Sequence, residues 1–104
     1  MTSQSSRVVF SAVIHAFVLI NTAPGRVAGL AAELADVEGV AEVYSVAGDH
    51  DLVAVVRVRD HDDLAEVVTR RIAKLSGLLS TRTMIAFQVY SRHDLEAMWS
   101  VGFD

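Results

Sequence analysis

From residue 8 to residue 20 almost every position is β-branched, aromatic or small and apolar, and only Ser11 and His15 are polar. Such a run predicts a strand buried on both faces. It exceeds the usual strand length by about a factor of two, which implies a bend or an extension onto a neighbouring subunit. Asn21-Thr22-Ala23-Pro24-Gly25 closes the strand, with Pro24 suited to the first position of a helix, where its missing amide donor costs nothing. That helix runs to about Asp36: Val27, Leu30, Ala31 and Leu34 recur at the spacing of one apolar stripe, and Arg26, Glu33 and Asp36 lie off it.

After the stop at Val37-Glu38-Gly39, residues 40–46 alternate apolar with small or polar side chains, the period of a strand with one wetter face. A polar turn around Gly48 leads into the unbroken apolar run 52–56, so the second and third strands form an antiparallel hairpin. Asp60 caps a second helix, with Asp63 three positions on, and Leu64, Val67, Val68, Ile72 and Leu75 form its buried stripe. Ser76-Gly77 ends it, and residues 80–90 form a fourth strand with a hydroxyl-rich start. Residues 92–99 are a candidate short helix with Leu95, Met98 and Trp99 on one side.

Strand, helix, strand, strand, helix, strand is the α+β, ferredoxin-like βαββαβ plan, a four-stranded antiparallel sheet with both helices on one face. The domain spans residues 8–90, preceded by a disordered tail at 1–7 and followed by a C-terminal extension at 91–104. The open sheet face needs cover, and two sheets packed face to face, a dimeric α+β barrel, would supply it.

Composition supports association. Hydrophobic residues make up 52% of the 104 and charged residues 21%, a high apolar share for a chain with so much surface relative to its volume. There is no cysteine, which excludes thiolate metal sites and thiol redox chemistry. A net charge of -4 argues against direct nucleic-acid binding. No stretch is long and apolar enough to span a membrane and no signal peptide precedes the first strand, so a cytoplasmic location is expected.

The residues with chemistry cluster at Gly48-Asp49-His50-Asp51, where a glycine turn carries two carboxylates. A carboxylate such as Asp51 could take the ammonium of a free amino acid, and turn amides and threonine hydroxyls its carboxylate. The same residues read equally well as hairpin caps. His15 reads as a partly buried histidine hydrogen-bonded across a strand pair. Asp49-His50-Asp51 with His61-Asp62-Asp63 could hold a metal, as in dimeric α+β barrel monooxygenases and decyclising enzymes. However, 61–63 fit the first turn of a helix, and neither cluster has the spacing of a recognised metal site. No catalytic residue, metal ligand or cofactor is therefore assigned, and a ligand-free oligomerisation module is the remaining alternative.

Three segments resemble the effector-binding, or RAM, domain of the Lrp/AsnC feast/famine transcription regulators: 16–20 with Pro24-Gly25, 46–52 continuing into 55–58, and 80–85. The resemblance covers roughly residues 8 to 90. It implies a dimer through the sheets, assembly of dimers into an octamer or decamer, and an amino-acid effector bound between dimers. By position it assigns the ligand site to Gly48, Asp49, His50, Asp51, Thr81 and Thr83. Most relatives carry an amino-terminal helix-turn-helix domain, whereas seven residues precede the first strand here. The chain thus resembles the stand-alone members, sensing an effector and assembling alone or with full-length regulators.

Overall fold

The computed structural model describes residues 13–90. The chain runs β1 (Ile14–Thr22), α1 (Val27–Ala35), β2 (Val40–Ser45), β3 (Leu52–Val58), α2 (His61–Glu66) continuing as a π-helix (Val67–Ile72), and β4 (Leu78–Ile85). The strands form one antiparallel sheet in the order β2-β3-β1-β4, the ferredoxin-like arrangement expected.

Period-two alternation decides which side of the sheet carries the helices. Ala16, Val18 and Ile20 of β1 and Leu52, Ala54 and Val56 of β3 are fully buried, and they pack against Leu30 and Leu34 of α1 and Leu64, Val67 and Ile72 of the second helical segment. Each fully buried Leu or Ile contributes about 1.5–3 kcal/mol, so this single layer accounts for most of the fold's hydrophobic stabilisation. β1 is therefore buried on one face only. Phe17, on the other face, keeps 36% of its surface exposed beside buried neighbours.

Several boundaries differ from expectation for identifiable reasons. β1 continues through Asn21 and Thr22, because these residues pair with Ser80 and Leu78 of β4 across a bulge. Pro24 does not open α1. It occupies the second position of a tight turn in which the Arg26 amide donates to the Ala23 carbonyl at 3.1 Å and Gly25 has φ +80°. α1 accordingly begins at Val27 with no side-chain cap. The second helix starts as expected, with the Asp60 carboxylate accepting from the Asp63 amide at 2.8 Å. Beyond Glu66 it widens into π geometry, which sets the fully buried Val67 and Ile72, five residues apart, on one side.

β4 starts two residues earlier and ends five residues earlier than the apolar pattern suggests. Leu78 is drawn into the ladder by packing on the core, and the last bond to β1 is Ala86 N–H to the His15 carbonyl at 2.9 Å. α1 packs over β2 and β3 and α2 over β3, and the inward residues of β1 join the same core layer. From Leu79 to Ile85 every residue of β4 is exposed. The expected tail at 1–7 and the candidate helix at 92–99 lie outside the described residues.

Candidate functional site

At one end of the sheet the finish of β1, the 46–51 turn and the head of β4 are knotted together by side chains. The turn is closed by the Val46 amide donating to the Asp51 carbonyl at 3.0 Å, and docked by the Asp51 amide donating to the Ile20 carbonyl at 2.9 Å. Gly48 has φ +115°, a conformation L-residues rarely adopt, and a Cβ placed there would meet nothing within 4 Å. Glycine is thus required by the backbone, and the space beside it is open.

Asp51 is the turn's anchor. Its Oδ2 accepts from the Thr22 amide at 2.8 Å and from Thr22 Oγ1 at 3.3 Å, and Thr22 is itself buried. Asp51 Oδ2 is thereby committed to the scaffold, which gives the carboxylate a structural part in the turn besides the ammonium-binding role expected for it. Asp49 is different. Its side chain is exposed and takes part in no hydrogen bond or ion pair among the described residues; only its carbonyl is used, accepting from Asn21 Nδ2 at 2.9 Å. The amides of Gly48, Asp49 and His50 likewise donate to no protein acceptor among the described residues.

The sequence marks Asn21 only as the end of a strand, yet it is the hub of this corner. Its Oδ1 lies 2.9 Å from His50 Nδ1 and 3.2 Å from Ser80 Oγ. No sequence signal marks it, since its partners lie 28 to 59 residues away. Ser80 was expected to begin the hydroxyl-rich strand, and register decides which hydroxyl reaches the turn. Ser80 pairs with Asn21, whereas Thr81 and Thr83 pair with Ile20 and Val18 on the helix side of the sheet. Both threonines are exposed there and make no side-chain hydrogen bond among the described residues. The structure thus brings Gly48, Asp49, His50 and Asp51 together with Asn21, Thr22 and Ser80, and leaves Thr81 and Thr83 apart.

On the open face of the sheet, a shallow concavity of about 430 Å³ is lined by His15, Phe17, Tyr44, Val55, Arg57 and Tyr90, among others. Arg57 reaches Glu42 at 3.5 Å there. His15 makes no side-chain hydrogen bond among the described residues, contrary to the cross-strand bond expected. His61, Asp62 and Asp63 form the first turn of α2, and among the described residues no group of three or more His, Cys, Asp or Glu side chains could hold a metal ion.

Residues 15–95 match the family described as the Lrp/AsnC ligand binding domain. The HTH-type transcriptional regulator LrpA of Pyrococcus horikoshii is 36% identical over 59 residues, which are 57% of this chain and 42% of that protein. The chain therefore spans less than half the length of that relative. Among solved structures, TTHA0845 from Thermus thermophilus is 48% identical with a TM-score of 0.72, the match covering 76% of this chain and 99% of that one. A feast or famine regulatory protein from Mycobacterium tuberculosis, complexed with L-methionine, is 28% identical with a TM-score of 0.64, covering 83% of this chain and 58% of that one. Regulators, not monooxygenases or decyclising enzymes, are what the chain is similar to.

Proposed function

The chain belongs to the Lrp/AsnC ligand-binding domain family, a regulatory and not an enzymatic family, and on that premise we propose that it senses a free amino acid at the 46–51 turn. The observation that carries this reading is the chemistry left unspent by the turn. Among the described residues, three successive amides, of Gly48, Asp49 and His50, have no protein acceptor, and the Asp49 carboxylate has no protein donor. A zwitterion matches that pair: its carboxylate takes the amides and its ammonium takes Asp49. The methionine complex of the Mycobacterium tuberculosis relative supports the same ligand class. Asp51 and Thr22 hold the turn in shape behind it.

The site is exposed on a single copy, so a ligand there is well placed to be shared with a second copy. Dimers form through the open sheet faces, where Phe17, Tyr44 and Met84 present apolar surface, and dimers assemble further into an octamer or decamer. An effector held between dimers contacts two of them at once and thereby favours one assembly over another. The protein works in the cytoplasm, alone or with full-length Lrp/AsnC regulators, and influences transcription through assembly. The net charge of -4 agrees with a role in which this domain senses and assembles and makes no contact with DNA itself.

A thermal-shift scan against the twenty amino acids, with light scattering on every hit, tests the proposal. A ligand at a hundred times its Kd adds about 2.7 kcal/mol of stability. A selective shift with a changed assembly is expected. An unchanged melting curve and an unchanged oligomer with all twenty would leave an oligomerisation module.

A further inference from the structure

An asparagine amide has two ends of nearly equal shape, and only its partners fix which is oxygen and which nitrogen. At Asn21 the partners settle the matter. One end faces the Asp49 carbonyl at 2.9 Å, and a carbonyl can only accept, so that end is Nδ2. The other end is therefore Oδ1, which lies 2.9 Å from His50 Nδ1 and 3.2 Å from Ser80 Oγ. An oxygen without hydrogen cannot donate. His50 Nδ1 must then carry the proton of this hydrogen bond, and Ser80 must point its hydroxyl hydrogen the same way.

A neutral imidazole protonated at Nδ1 has its lone pair on Nε2. We infer that Asn21 is a positioning residue of the effector site: it locks His50 as the Nδ1–H tautomer, keeps Nε2 as a hydrogen-bond acceptor for the ammonium group of a bound zwitterion, and ties the turn to Ser80 of β4. The inference rests on the turn being the effector site. It adds a second acceptor to the turn that carries Asp49, and it gives the ligand turn a direct link to an exposed edge of the sheet. The three bonds of Asn21 join segments 28, 29 and 59 residues away in sequence, so a shift of the turn on binding pulls on β4 through a single side chain.

The tautomer is read without any ligand, from long-range ¹H–¹⁵N correlation spectra of the full chain, with His50→Gln identifying the His50 signals among the four histidines. His50 is expected as Nδ1–H in the parent and in Asn21→Asp, which keeps an acceptor facing His50. It is expected to move towards Nε2–H in Asn21→Ala. A parent spectrum of the Nε2–H type, or an Asn21→Ala spectrum identical to the parent, overturns the inference; the parent spectrum decides even where Asn21→Ala does not fold. In calorimetric titration with L-methionine, Asn21→Ala should bind about tenfold more weakly than the parent, the cost of one lost hydrogen-bond partner. Equal affinity also overturns the positioning role. A parent chain that answers no amino acid while His50 stands as Nδ1–H overturns the effector reading alone.

Discussion

Asp51 and Thr22 meet across 29 positions of sequence, the Asp51 carboxylate accepting from the Thr22 amide at 2.8 Å and from its hydroxyl at 3.3 Å. The contact separates two aspartates of one turn, of which the sequence favours Asp51 for the ammonium. Asp51 is bound into the scaffold, while Asp49, two residues before it, is the carboxylate left over. The mutational consequences divide in the same way.

Asp51→Ala removes a charged acceptor from a buried threonine and should cost about 1.5–3 kcal/mol in urea unfolding. Asp49→Ala, on the exposed side of the turn, should change stability by less than about 0.5 kcal/mol and abolish the amino-acid response. Equal stability losses in the two variants would remove the distinction, and a responding Asp49→Ala would remove Asp49 from the site.

Gly48→Val tests the backbone alone, because the open space around a Cβ there excludes a clash. Holding a β-branched residue at φ +115° should cost about 1–3 kcal/mol or force the turn into another shape. Gly48→Asn should cost less, since asparagine tolerates positive φ better. A valine variant as stable as the parent, with an unchanged amino-acid response, would show that the turn needs no glycine.

Arg26 occupies a slot made by Gly29 and Gly77. Its guanidinium reaches Glu33 Oε2 at 2.9 Å and the Ser76 carbonyl at 3.2 Å, and a Cβ on Gly77 would sit 2.7 Å from its Nε. Gly77→Ala should therefore expel Arg26 and, with φ +93° at the same position, destabilise by about 2–3 kcal/mol. In an Arg26→Ala background the same substitution should cost at least about 0.5 kcal/mol less. Denaturant unfolding of the four proteins of this double-mutant cycle checks the coupling, and strict additivity would refute it.

Phe17 and Val55 are opposite each other in the β1–β3 ladder, on the sheet face that carries no helix. If that face holds the proposed dimer together, Phe17→Glu places a charge in the interface and should shift the mass measured by light scattering to that of a monomer. A Phe17→Glu protein of parental mass would place the dimer contact elsewhere.

Local pattern sufficed wherever one element buries one face. The spacing of Leu30 and Leu34 marks α1, the alternation through Val18 and Ile20 marks β1, and Asp60 marks the start of α2. It misled where a residue had two uses. Pro24 suits a helix start and a turn equally, and Gly25 at φ +80° chose the turn. The resemblance assigns Thr81 and Thr83 to the site by position, and within one copy a one-residue difference in register brings Ser80, not these threonines, to the turn. Asn21 could not be found at all, because nothing local distinguishes an asparagine that ends a strand from one that holds three distant groups.

The helices shelter three strands and leave β4 attached to the sheet through β1 alone, exposed from Leu79 to Ile85. In a single copy β4 therefore opens at a smaller cost in free energy than β3, which is paired on both sides and closed over the core. Hydrogen exchange should accordingly run faster in the amides of β4 than in those of β3, by way of local openings that never reach the unfolded state. An edge strand held at its head by Asn21 is a place where binding is registered as order.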